Sequence, residues 1–289
     1  MKIGHFWRRT GALFFAFILM SRVSAAPHDP RVVSMTPNVT EIILALGATN
    51  SLVGVSDYCQ LPEGVSEPRC GGLLNPNFER ILALHPTLLF VLGRMDRVRR
   101  FAENNEIQCL SVTIESFHEL TEETIRVGDL LGKGNTARAL VAELQVRLDA
   151  VRKRSASLPA YKALALLDGE AESSRSLMAA GKNSFISEMM EAAHGVNIFS
   201  EQRLPYFIPS RESILALQPD AIFEFRGSVQ GKKDVPDWLS TADTPASHHH
   251  RIVYVTEDFA TIPGPRMVQI AEWFEACFRK FSEEDRKTP

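Results

Sequence analysis

The period of apolar positions changes repeatedly along this chain. Leu88-Leu89-Phe90-Val91-Leu92 is apolar throughout, the pattern of a strand covered on both faces. The residues before it switch period: Phe78, Ile81, Leu82 and Leu84 fall on one helical face, Asn77 is placed to cap it, and Pro86 stops it. The same alternation predicts strands at 31–35, 52–55 and 108–113. It also predicts helices from about Asn38 to Gly47 and over 97–104. Gly47 stands where a left-handed helix end is needed. Residues 119–155 hold no proline and read as helix, broken near 131–135. Its second piece, 136–154, is about 30 Å long at helical rise.

Alternation then resumes. Strands are expected at 163–167, 221–225 and 251–255. Helices are expected from Gly181-Lys182-Asn183-Ser184 to Gly195, from Ser210 to Pro219, and from about Pro265 to Phe281. Residues 79–90 read ERILALHPTLLF and residues 212–223 read ESILALQPDAIF, with seven of twelve positions identical. Each half thus has a capped helix, a proline stop and a buried strand, after an earlier helix with glycine at its end. The expected fold is α/β: two lobes with small central sheets, joined by a long rigid backbone helix, with a ligand cleft between them. The expected boundaries are an N-terminal lobe at 30–118, a helical connection at 119–157 and a C-terminal lobe at 160–282.

Residues 1–25 stand apart. Lys2, Arg8 and Arg9 precede an apolar run, and Val23-Ser24-Ala25 offers a small-residue cleavage pattern, so a cleaved secretory signal peptide is expected. Without that segment the chain has 28 basic against 35 acidic residues, a formal charge of −7, which gives no basic surface for nucleic acid. Export places the chain in an oxidising compartment, where Cys59 and Cys70 are the most local candidates for a disulfide. Cys109 and Cys277 read as small apolar core residues. No G-x-S-x-G, Walker A, G-x-G-x-x-G or H-E-x-x-H motif occurs, and no nucleophile has a base beside it, so no enzyme activity is expected. His248-His249-His250 reads as an exposed loop with incidental metal affinity. His85 and His194 read as helix C-terminal residues.

Three N-terminal segments occur in a specific order: Pro30 to Glu41, Val53 to Tyr58, and Asn75 to Pro86. Gly181-Lys182-Asn183-Ser184, Gly195-Val196-Asn197-Ile198-Phe199, Pro209-Ser210-Arg211-Glu212 and Gly264-Pro265-Arg266 follow. This ordered set resembles the helical-backbone (class III) substrate-binding proteins of metal-chelate ABC importers, the family of the cobalamin-binding protein. The resemblance covers roughly residues 30–280. It implies a periplasmic, monomeric binding protein that carries a corrinoid, haem or a ferric siderophore as transported ligand, without a cofactor of its own. It also implies an ABC permease partner in the inner membrane, met through Glu79 and Glu212. Tyr58, Tyr206, Phe207, Phe259 and Met178 fall at or near the family's ligand-facing positions. Leu73-Leu74 stands where the cobalamin binder has a tryptophan, and Tyr206 replaces a second one. Haem, held through Tyr58 or Tyr206, is therefore an alternative. So is a ferric siderophore met by Arg94, Arg175, Arg203 or Arg226. An exported α/β enzyme or metallochaperone is the alternative from another class.

Overall fold

The computed structural model describes residues 30–167, 177–225 and 241–287. The segment at 1–25, Arg175 and Arg226 lie outside the described residues, as does the side chain of Phe259. The first sheet is built from β1 (Val32–Ser34), α1 (Pro37–Ala45), β2 (Leu52–Val55), α2 (Phe78–Ala83), β3 (Leu88–Leu92), α3 (Asp96–Asn104) and β4 (Gln108–Val112). Its four strands are parallel, in the order β2-β1-β3-β4. Two helices follow, α4 (Phe117–Leu130) and α5 (Gly134–Ser155). At 22 residues α5 is the expected rod.

The second sheet comprises β5 (Lys162–Leu167), β6 (Met178–Ala180), β7 (Val196–Asn197), β8 (Tyr206–Phe207), β9 (Ala221–Phe225) and β10 (Ile252–Val255). Helices α6 (Phe185–Ala192), α7 (Arg211–Leu217), α8 (Pro245–His248) and α9 (Met267–Lys287) lie among and after these strands. β7, β5, β9 and β10 run parallel in the order that β2, β1, β3 and β4 take in the first sheet. The second sheet then adds β6 and β8, antiparallel, along the end of β5 that β7 leaves unpaired. Strands of two or three residues leave too little alternation to be seen in the sequence, so β6, β7 and β8 were not among the expected strands.

Period-2 alternation divides each sheet between two cores. In the first sheet Val33, Leu89 and Val91 pack with Ile81, Val98 and Ala102, while Val32, Leu88 and Phe90 face the other way. In the second, Leu164, Leu166 and Ile222 pack with Ile214, and Ala163, Ala165, Phe223 and Phe225 face α6 and α9. The larger core runs from the first sheet through Leu120 and Val127 of α4 and Leu144, Leu148 and Val151 of α5 to the second sheet. α5 therefore packs as a shared wall between the two sheets.

The repeated segment folds twice in the same way. The side chains of Asn77 and Ser210 accept hydrogen bonds from Arg80 N (2.9 Å) and Ser213 N (3.1 Å), each worth about 0.5–2 kcal/mol as a cap. Ile81 and Ile214 are buried. Before the prolines, His85 (φ 46°) and Gln218 (φ 49°) both adopt the left-handed conformation that ends a helix.

Some expectations need correction. Gly195 does not end α6; His194, at φ 68°, takes the left-handed turn. Gly195 is required for packing, because a Cβ there would lie 2.7 Å from the Phe278 ring. His248 is in helix α8 rather than a loop and meets Asp243 Oδ1 at 3.1 Å. All four cysteines are free thiols. Cys59 and Cys70 belong to the two separate cores flanking the first sheet, so the expected bridge is not formed.

Candidate functional site

In parallel β–α–β units the loops at the strand C-terminal ends carry ligand sites. At the first sheet the longest such loop follows β2. Arg69 reaches back across it, its guanidinium donating to the carbonyls of Ser56 (2.9 Å) and Cys59. Thr40 Oγ1 and Ser56 Oγ each lie 3.1 Å from the Cys59 sulfur, which fixes the loop to α1. Tyr58 is displayed between these two anchors and is 56% exposed. A Cβ on Gly72 would lie 3.1 Å from its ring, so the glycine leaves room for it. Leu74, three residues before Asn77, is 95% exposed. An aromatic ring and a leucine so displayed on a braced loop form an apolar surface that the fold itself does not bury.

The second sheet contributes differently. Tyr206 and Phe207 are adjacent in β8 and so point to opposite faces. Phe207 packs edge-on against Phe199, ring centroids 4.9 Å apart, in the core on the far face. It is half-buried against that core. Tyr206 packs on the main core and its hydroxyl hydrogen-bonds the carboxylate of Glu115, which follows β4 of the first sheet. Burial, then the neighbouring Glu115 charge and the hydrogen bond to it, push the Tyr206 phenol well above its ordinary range. Through that hydrogen bond the side chain ties the two halves together. Burial likewise raises the Glu115 carboxyl, the Tyr206 hydrogen bond opposing and the Glu119 charge reinforcing.

Two further contacts join the halves. Glu188 of α6 accepts a hydrogen bond from Phe117 N at the start of α4, 2.7 Å. Glu41 of α1 pairs with Arg266 just before α9, their side chains 11% and 32% exposed. A Cβ on Gly264 would lie 2.6 Å from Glu41 Oε2, so the Gly264-Pro265-Arg266 turn sits directly on that carboxylate. Two of the motifs noted in the sequence, from opposite ends of the chain, thus meet as one ion pair.

β6 pairs with β8, which brings Met178 into the strand beside Tyr206 and Phe207. Met178 is half-buried in β6, where it pairs with Leu167. Arg94 and Arg203 are exposed, and Arg203 is tied by its carbonyl to Asn183 Nδ2 at 2.8 Å. Glu79 and Glu212 are exposed in the first turns of α2 and α7. Leu204 and Ile208, beside β8, are strongly exposed and were not among the sequence candidates. Ile208 is two residues from Tyr206, which in extended chain places it on the same side. Among the described residues no cluster of histidine, cysteine and carboxylate side chains is arranged to hold a metal ion. No described helix is long and apolar enough to cross a membrane.

Two sheets that share one order of four parallel strands, joined by one helical wall and by side-chain contacts between the halves, are the architecture of a two-lobed binder. Residues 32–258 match the family described as periplasmic binding protein. This chain belongs to that family. The binding protein is 26% identical over 256 residues to an uncharacterised ABC transporter substrate-binding lipoprotein of Bacillus subtilis, covering 86% of this chain and 80% of the relative. It is 24% identical over 267 residues to the vitamin B12-binding protein of Vibrio cholerae, covering 90% and 93%. Among solved structures it resembles the periplasmic heme-binding protein HutB of Vibrio cholerae, with a TM-score of 0.76, 25% identity and coverage of 86% and 98%. The family consists of binding proteins rather than enzymes, it is extracytoplasmic, and membership implies a permease partner.

Proposed function

We propose that this binding protein captures a bulky metal chelate between its two lobes, with a corrinoid as first choice, and delivers it to an ABC import permease. The observation that carries the reading is the braced loop after β2, which displays Tyr58 and Leu74 to solvent. A broad, largely apolar ligand with polar edges matches a ring and a leucine presented by one loop. In this reading the lobes span 30–118 and 160–282, the protein acts as a periplasmic monomer after removal of residues 1–25, and it needs no cofactor. Glu79 and Glu212, one on each lobe, meet cationic residues of the permease.

The exposed phenol of Tyr58 favours haem as a second reading, because tyrosine is a known protein ligand of haem iron. One titration separates the two. Purified mature protein is mixed with cyanocobalamin, cobinamide, haem, and catecholate and hydroxamate ferric siderophores, and tryptophan quenching and visible spectra are recorded. The expected result is one-to-one binding of a tetrapyrrole-type chelate. Tyr58→Phe keeps corrinoid affinity if the ring packs on the ligand, and abolishes the iron–phenolate band if the oxygen ligates haem. Failure of every chelate to bind refutes the proposal.

A further inference from the structure

The loop after β2 is held more firmly at one place than burial of a core requires. Ser56 and Cys59 are buried, whereas Asp57 and Tyr58 between them are exposed. Cys59 N donates to Ser56 O at 3.2 Å and closes a four-residue turn. A surface turn of this kind is ordinarily mobile. Here Arg69 staples it from outside, one guanidinium nitrogen donating to both the first carbonyl of the turn and the last. Arg69 is itself anchored. Val55 N donates to Pro68 O at 3.0 Å and Cys70 N to Val55 O at 2.7 Å, which lays 68–70 along the end of β2. Arg80 of α2 donates to Arg69 O at 2.9 Å. The tyrosine ring is backed as well, because Gly72 is buried and a Cβ there would lie 3.1 Å from the ring and 3.5 Å from its hydroxyl. None of these contacts buries Tyr58, so they fix the placement of a ring that the cores do not use.

We infer that Arg69 is a positioning residue for the ligand: it holds the Ser56–Cys59 turn in the free protein, so that the Tyr58 ring meets the chelate already in place. The inference rests on the chelate reading above and adds a residue that acts through Tyr58 and not on the ligand itself. Ordering a side chain on binding costs affinity, and a ring fixed beforehand avoids that cost. Arginine suits the position because its N–H donors lie on one rigid plane and reach two acceptors at once.

The test uses the full mature protein with fluorotyrosine at its four tyrosines. Fluorine NMR spectra of the free protein are recorded for wild type and Arg69→Met, and Tyr58→Phe assigns the Tyr58 signal. That signal is expected to move towards the unfolded-chain position in Arg69→Met, with the other three unmoved. Dissociation constants for cyanocobalamin, cobinamide, haem and the ferric siderophores are then measured for wild type, Arg69→Met, Tyr58→Ala and the double variant. The expected result is roughly tenfold weaker binding for Arg69→Met, with no further loss when it is added to Tyr58→Ala. Gly72→Ala, which crowds the ring directly, should repeat the pattern. Wild-type affinity with an unmoved signal in both variants overturns the positioning role and leaves the chelate reading standing. A signal that moves while affinity stays overturns the link to binding. Losses that add in the double variant mean that Arg69 meets the ligand itself, and overturn the inference likewise. Failure of the wild-type protein to bind any chelate overturns the proposed function, and the ligand role of Arg69 with it.

Discussion

The two sheets share a strand order and differ in how their cores are filled. The first buries aliphatic side chains from strand and helix alike, with Val32 and Leu88 packed with Val39, Ile42 and Ile43 on one face and Val33 and Leu89 with Ile81 and Val98 on the other. The second sheet places Ala163, Ala165 and Ala221 in its strands, and the volume comes from rings. Phe223 lies within 6.5 Å, centroid to centroid, of Trp273, Phe274, Phe278 and Phe281. Small strand residues admit large rings from α9, and those rings need a long helix to carry them. One topology therefore supports two packing solutions, because the helix opposite each sheet sets the volume its strands must leave.

Removing the central ring of each core is the strongest way to break this comparison. Phe223→Ala is expected to cost close to 5 kcal/mol and Phe90→Ala closer to 3, read from urea unfolding of each variant. Equal losses would mean that the ring cluster adds nothing beyond area.

The contacts between the halves come next. Arg266→Ala leaves the Glu41 carboxylate without its guanidinium partner. Since the arginine is a third exposed, a loss of about 2 kcal/mol is expected, with the lobes less tightly coupled in hydrogen exchange.

Opposite pH responses sharpen the contrast further. In the second half, hydrogen bonding from Arg154, helped by Arg279, holds the Glu275 carboxyl below its ordinary 4.5. Stability from that group is present above 4.5 and is lost as pH falls through the lower folded value. At the junction, burial raises the Glu115 carboxyl. The sign there is reversed, and ionisation as pH rises weakens the fold. Glu115→Gln is therefore expected to raise the melting temperature near pH 7 and to leave it unchanged near pH 4, whereas Glu275→Gln lowers it most at pH 7. Melting scans across that range check both.

The smallest effect concerns the two left-handed helix ends. His85→Gly should stabilise by about 0.5–1 kcal/mol by relieving a backbone conformation that favours glycine. Gln218→Gly should gain nothing, because the Gln218 amide donates to Leu215 O at 2.7 Å and Asp243 O at 2.9 Å. Chemical denaturation of the two variants side by side reads the difference.

Most of the fold was legible along the chain. Capped helices, proline stops, unbroken apolar strands and the proline-free middle are local signals, each written within about twenty residues. The duplication was legible too, since seven shared positions in twelve carry the outward glutamate, the core isoleucine and the proline stop together. The site was less legible. Tyr58 stands out as a displayed ring, but Phe207 looked equivalent to Tyr206 until pairing of β8 with β6 set which face each occupies. Leu204 and Ile208 passed unnoticed, and Leu74 was marked only as a departure from the family's tryptophan, because exposure of a leucine or isoleucine has no mark in the sequence.

By itself, then, the sequence determined the elements, their order and the twofold plan, because helix caps, breakers and apolar periods act between near neighbours. Tertiary structure alone decided that Glu41 meets Arg266, that Glu115 takes the Tyr206 hydroxyl, and that Cys59 and Cys70 lie on different faces of one sheet. Those outcomes depend on which surfaces chain closure brings together, and residues 225 positions apart carry no local signal of each other.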